Sequence, residues 1–333
     1  MWSVKIPAVR PHADHLFQPV MDSYGLRLAL VFGNHAADGQ CPFFKATLCH
    51  HCDIGRGEGA AFNLETNQQR LAWYREHFTE PLESTAHLVI YNSGSVLNPA
   101  EMPVAFLDHL LDFARELPSV QVISFDSRES FVTAAKVTGV ADRLRTDQCV
   151  RVILGIESAS NIIRNQVLQK EMTDAGIQRA LGQLSIAADN VGSDRIGVDV
   201  NIVVGGPGTT PQTAADDAAE TALFAIRCSP VSVDFNLHPY YPSQRGVDRF
   251  PNHPRCSEEI LEESIRGILN ACRGVVRPRI FVGLNNEGHD TGGPTDSIPT
   301  DGWIQAFNAT QSLRDDAPSG ILYCTRTTKA DES

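Results

Sequence analysis

Short apolar runs recur along the chain, separated by stretches with a helical period. LRLALVF (26–32), HLVIY (87–91), VQVISF (120–125), CVRVILGIE (149–157), IGVDVNIVV (196–204) and VSVDFNL (231–237) are nearly continuous in apolar residues. A strand that is apolar throughout is covered on both faces, so these runs predict parallel strands with crossover helices rather than a half-wet antiparallel sheet. AEMPVAFLDHLLDFAREL follows the second run and ADDAAETALFAIRC the fifth, each with apolar residues at helical spacing. Six such units predict an α/β fold, a barrel or open barrel, in which function sits on the loops after the strands. Further on, SEEILEESIRGILNAC reads as a helix with Ser257 as its N-cap and acids in its first turn. PRIFVGL (278–284) reads as one more strand, TGGPTDSIPTDG as loop and the final KADES as frayed. We divide the chain into an N-terminal extension (1–25), the barrel (26–250) and a C-terminal extension closing it (251–333).

Composition narrows the possible partners. The 333 residues carry a formal net charge of −12 and contain no long Lys/Arg run, which disfavours nucleic acid, whose phosphates need a basic face. No run reaches the ~18 apolar residues of a membrane span. The opening MWSVKIPAVRPHADHLF is broken by prolines and charges and lacks a signal peptide's apolar run, so a cytoplasmic protein is expected. In that reducing compartment the eight cysteines are not a disulfide framework. Cys149, Cys228, Cys256, Cys272 and Cys324 are scattered and read as small buried hydrophobes.

The other three fall together in CPFFKATLCHHC (41–52), directly after the first strand. Three chemistries suit them. Cys41, Cys49 and Cys52 with His50 or His51 could hold zinc. Cys49 and Cys52 alone could form a redox pair, which leaves Cys41 unexplained. Three thiolates could instead hold a [4Fe–4S] cluster with one iron open; soft thiolates suit zinc and iron–sulfur alike. A large α/β barrel has little need of a zinc staple.

Four further segments lie at predicted strand ends: YNSGSVLNPAEMP (91–103), FDSRESF (125–131), GIESASNIIRNQVLQK (155–170) and NIVVGGPGTTPQT (201–213). With the C-x7-C-x2-C loop they resemble, in order, the motifs of the radical S-adenosylmethionine (radical SAM) superfamily, in the branch of the elongator catalytic subunit and the archaeosine-synthase radical protein. The resemblance covers residues 25 to 245. It implies a partial (β/α)6 TIM-like barrel of radical SAM type. It implies Cys41, Cys49 and Cys52 as ligands of a [4Fe–4S] cluster whose open iron takes S-adenosyl-L-methionine, cleaved reductively to a 5′-deoxyadenosyl radical. It further implies His51 stacking on the adenine and Ser93, Gly94 and Ser95 meeting the methionine amine. Glu157 would take the ribose or the amine, Lys170 the methionine carboxylate, and Gly205 and Pro207 would form a turn against the adenine. Asp126 stands where the branch has Glu, no Pro follows Arg128 and Glu129, and the Ser-Gly-Ser motif keeps no acidic third residue.

For the substrate, HPYYPSQRG (238–246) offers Tyr240, Tyr241 and Arg245, and GLNNEGHD (283–290) offers Asn285, Glu287, His289 and Asp290. Tyr240, Glu287, His289 and Asp290 are the candidate catalytic groups, facing a polar small molecule in a biosynthetic pathway. The resemblance also implies an external electron donor of flavodoxin or ferredoxin type. Two alternatives stay open: an enzyme modifying a tRNA nucleoside, and a non-catalytic zinc-stapled binding protein.

Overall fold

The apolar runs become strands that pair in sequence order. The computed structural model describes residues 19–36, 39–52, 55, 63–240, 242, 244–283, 302–311 and 313. Its eight-stranded sheet runs β1 (Val20–Asp22), β2 (Gly25–Val31), β3 (Thr85–Tyr91), β4 (Val122–Asp126), β5 (Cys149–Glu157), β6 (Ile196–Val204), β7 (Ser232–Pro239) and β8 (Ile280–Val282). β1 is antiparallel to β2, and every later pair is parallel. Crossovers run through α1 (Pro42–Lys45), α2 (Leu64–His77) and α3 (Thr79–Ser84), then α4 (Val104–Glu116), α5 (Ala134–Arg143), α6 (Asp174–Val191), α7 (Ala214–Cys228), α8 (Gln244–Arg249) and α9 (Glu258–Ala271). Ser257 caps α9, its side chain accepting from the Ile260 backbone N–H at 3.4 Å. The result is a nearly closed, partial TIM-like barrel. No helix among the described residues is long and apolar enough to cross a membrane.

Alternation within each strand separates two interiors. Leu28, Leu30, Leu88, Ile90, Ile123 and Phe125 point outward into one large core shared with the helices. Ala29, Val89 and Ile153 point inward and form a small apolar layer inside the barrel. Towards the strands' N-terminal ends the inward residues are charged. His87 bridges Asp22 (2.7 Å) and Ser124 (2.8 Å), and the Ser124 hydroxyl donates to Asp199 (2.9 Å). Arg151 pairs with Asp199 and with Asp234 (3.0 Å), while the Tyr24 hydroxyl donates to Asp234 (2.7 Å). Burial acts against the Asp199 carboxylate, but Arg151 and His87 hold its pKa below the ordinary value.

The two sheet edges meet through side chains. Helix α10 (Gly302–Thr310), which the Gly/Pro-rich surroundings hid from the sequence reading, lies against both β1 and β8. Asn308 accepts from Val282 N–H (2.8 Å) and donates to its carbonyl (3.0 Å); Gln311 does the same for Ile280 at 2.7 and 2.8 Å. These two amides satisfy β8 backbone groups that would otherwise be left open at an edge. The Arg27 guanidinium also lies 4.1 Å over the Phe281 ring, joining β2 to β8 across the barrel.

Candidate active site

At the opposite end, where the strands' C-termini open, the loops converge on one cavity. The cysteine loop forms one wall. Cys41 N–H donates to the Gly55 carbonyl (2.9 Å), and Cys49 and His50 N–H donate to Gln169 (3.1 Å) and Leu168 (3.0 Å) beyond β5. Two arginines clamp its short helix α1 from either side. Arg245 donates to the Leu48 (2.9 Å) and Phe44 (3.0 Å) carbonyls and lies 3.7 Å over the Phe44 ring. Arg128 lies 3.5 Å over the Phe43 ring, reaches the Cys49 thiol at 3.9 Å and donates to the Lys170 carbonyl. Arg245, expected as a substrate group, thus holds the cysteine loop.

Backbone strain gathers around this cavity. Of seven non-glycine residues with positive φ among those described, Cys49, Ser93 and Glu157 line it, and Gln169 and Glu171 are the chain neighbours of Lys170 on its wall. Each costs of order 1–3 kcal/mol, and such strain persists where surrounding contacts over-determine it. At Gly94 the chain runs so close to Glu101 that an added Cβ would collide with its carboxylate. The buried Glu101 carboxylate accepts from Asn34 Nδ2 (3.1 Å) and Ser95 N–H (3.1 Å), which fixes the Ser-Gly-Ser turn. The Ser95 hydroxyl accepts from Arg128 N–H (3.2 Å), tying that turn to the loop after β4.

Cys41, Cys49, Cys52, His51, Ser93, Gly94, Ser95, Glu157, Lys170 and Tyr240 all line the cavity. Gly205 and Pro207 do not; the Gly205 carbonyl is instead 2.9 Å from His253 Nε2. Tyr241, Asn285, Glu287, His289, Asp290 and Cys324 lie outside the described residues, as do TGGPTDSIPTDG up to residue 301 and KADES. The sequence reading passed over Asn201 and His238, inward residues of β6 and β7 that also line it. It took Asp126 only as a motif departure, although this residue lines the cavity. Alternation placed all three: each lies two or four positions beyond an inward floor residue, Ser124, Asp199 or Asp234, and so on the same face.

The charges are unevenly matched. Lys170 Nζ donates to Glu157 Oε1 at 2.9 Å, and His51 Nε2 lies 3.6 Å from the same oxygen. Burial works against the Glu157 anion, but Lys170 and His51 hold its pKa far below the ordinary carboxylate range. His51 Nδ1 is buried with no hydrogen-bond partner among the described residues. Asp126 has no ion pair among the described residues, and burial pushes its pKa up to about 7, with Lys170 and Arg128 opposing and Glu157 and Glu101 adding to the rise. Burial likewise pushes the Cys41 thiol up to about 11 and Cys52 to about 12. Metal binding would have to displace those protons, which couples loading to pH.

The thiols suit a multi-iron group better than a single ion. Among the described residues no three His, Cys, Asp or Glu side chains converge on one point as a metal shell. Zinc needs four ligands at about 2.0–2.3 Å from one centre, whereas each thiolate of an iron–sulfur cluster bonds a different iron. Of the two candidate fourth ligands, His50 Nδ1 lies 3.2 Å from the Val167 carbonyl and His51 Nε2 lies 3.6 Å from Glu157. Three soft thiols on one wall, with the Arg128 guanidinium beside Cys49, fit a three-thiolate cluster.

No protein-family model and no curated protein matches the chain. Solved structures do. A queuine lyase from Clostridium spiroforme, bound to SAM and queuine, is 15% identical with a TM-score of 0.51, covering 85% of this chain and 97% of its own. The archaeal Methanocaldococcus infernus Elp3 (12%, TM-score 0.45) covers 77% of this chain and 55% of its own. A radical S-adenosylmethionine methyltransferase, TsrM from Kitasatospora setae with cobalamin and a [4Fe-4S] cluster bound (13%, 0.39), covers 66% and 38%. Over 85% of its length this chain shares the fold of the first of these, a nearly closed barrel of mainly parallel strands.

Proposed function

We propose that the chain is a radical SAM enzyme acting on a polar small molecule. The observation that carries this reading is the single cavity at the barrel mouth, which brings all three clustered thiols together with Ser93, Ser95, Glu157 and Lys170. Cys41, Cys49 and Cys52 would hold the [4Fe–4S] cluster, and the Arg128 and Arg245 clamps keep their loop in place. When bound and reduced, the cluster would supply the electron that splits S-adenosylmethionine into methionine and a 5′-deoxyadenosyl radical. The protein's own residues bind and orient. The Ser-Gly-Ser turn, closed against Glu101, would meet the methionine end through its backbone. The Glu157–Lys170 pair presents a fixed acceptor, and the small polar side chains Asn201 and His238 on β6 and β7 face what remains of the space. That the queuine lyase is bound to a small heterocycle supports a substrate of similar scale.

The test is anaerobic reconstitution followed by a strong reductant. The reading expects a brown protein that releases 5′-deoxyadenosine from S-adenosylmethionine, slowly even without substrate. A colourless protein that binds one zinc and releases none would contradict it.

A further inference from the structure

The mouth has two unlike sides. Its charged lining residues, Asp126, Arg128, Glu157 and Lys170, come from β4, β5 and the loops after them. β6, β7 and the residue that follows contribute Asn201, Val203, His238, Pro239 and Tyr240. Among the described residues, this second side brings no carboxylate, ammonium or guanidinium group to the cavity. Register builds it: Asn201 is paired with Asn236 and Val203 with His238, on the same strand face as the charged floor residues Asp199 and Asp234. A charge resting here would lack a counter-ion, and burying an unpaired charge is costly. The part of a ligand that rests on this side is therefore uncharged.

One amide on this side is held in place from behind. Asn236, buried and off the mouth wall, donates from Nδ2 to Asn201 Oδ1 at 3.0 Å. That bond uses one lone pair of the Asn201 oxygen and leaves the second lone pair and both Nδ2 hydrogens for a ligand. Tyr240 is equally fixed. Its N–H donates to the Val204 carbonyl (2.9 Å), its carbonyl accepts from Cys256 N–H (2.8 Å), and its ring stands edge-on to His253 at 5.2 Å. With Val203 it gives the amide an apolar flank. A group with N–H next to C=O uses the donor and the acceptor of Asn201 together, and a ring carrying that group covers the flank. We propose that Asn201 selects the substrate by an uncharged carboxamide or lactam edge carried on a ring. The inference rests on the function proposed above and names the substrate class.

The experiment titrates three probes into the anaerobically reconstituted protein with S-adenosylmethionine present, read by ligand-observed NMR. Nicotinamide, nicotinate and 3-(aminomethyl)pyridine carry a neutral carboxamide, an anion and a cation on one pyridine ring. A neutral hydrogen bond is worth roughly 0.5–1.5 kcal/mol, so wild type should bind nicotinamide about three- to tenfold more tightly than either charged probe. Asn201→Asp keeps the acceptor for Asn236 and removes the N–H donors. It should lose that preference and favour 3-(aminomethyl)pyridine. A wild type that binds a charged probe as tightly as nicotinamide, or binds none of the three, would overturn the assignment; so would an Asn201→Asp variant with unchanged preference. The wild-type comparison needs no variant to fold. Iron content and reductant-driven release of 5′-deoxyadenosine, measured on the same preparations, separate the two readings. Normal values with the wrong preference overturn this inference alone, and absence of both overturns the radical SAM reading and this inference with it.

Discussion

The two ends of the barrel are built from the same inward positions of the same strands, yet they differ in how their charges are matched. At the floor Asp22, His87, Ser124, Asp199, Arg151, Asp234 and Tyr24 form one connected network around a cavity of only about 20 Å³. At the mouth the cavity is about 160 Å³, and among the described residues Asp126 has no ion pair and His51 Nδ1 no hydrogen-bond partner. Three of its lining residues, Cys49, Ser93 and Glu157, hold positive φ. Polarity inside a barrel does not by itself mark a site. Unmatched polarity joined to strain does, because both are retained at a cost in stability.

The largest expected effect breaks the floor. Arg151→Ala leaves the buried Asp199 carboxylate without its ion-pair partner, and removing one partner of a buried pair costs roughly 3–5 kcal/mol. A urea melt of the apoprotein should show that loss; a variant as stable as wild type would mean the network is not load-sharing.

The mouth should behave in the opposite sense. The folded pKa of Asp126, about 7, lies above its unfolded value near 3.9, so the native state binds the extra proton between them. Stability is then fullest below the unfolded pKa and falls as pH rises through about 7. Asp126→Asn abolishes that fall. The apoprotein variant should gain roughly 1–3 kcal/mol over wild type at pH 8 and nothing at pH 4. Destabilisation at pH 8 would place Asp126 with the floor.

A smaller effect is expected at the seam. Asn308→Ala opens two hydrogen bonds to β8, a loss of about 1–3 kcal/mol in the same melt. It should leave iron loading of the reconstituted protein unchanged, since the seam and the cysteine loop are separate elements.

Much of this was legible in the sequence, and the gaps have physical causes. The six apolar runs became β2 to β7 because strands covered on both sides need no alternation to be seen. The same near-continuity hid the floor. Arg27, His87, Ser124, Arg151, Asp199 and Asp234 are single polar residues within apolar runs, and only pairing the strands puts them at one depth. The cysteine loop and the strand-end motifs stood out because their spacing is local. Arg245 was misjudged because its role depends on α8 packing against α1, a contact between segments about 200 residues apart. Helix α10 went unseen because its apolar residues Ile304 and Phe307 follow a Gly/Pro-rich stretch, and its function at β8 is carried by two neutral amides.

The most direct test of the contrast between matched and unmatched groups is an iron count on buried thiols inside and outside the mouth. Cys52 lines the cavity, whereas Cys256, whose thiol burial also pushes up to about 12, packs against Gly205 off its wall. After anaerobic reconstitution, Cys256→Ala should bind iron as wild type does, about four per chain for a [4Fe–4S] cluster, and Cys52→Ala should hold none stably. Full loading of Cys52→Ala, or loss in Cys256→Ala, would contradict the assignment of the mouth as the cluster site.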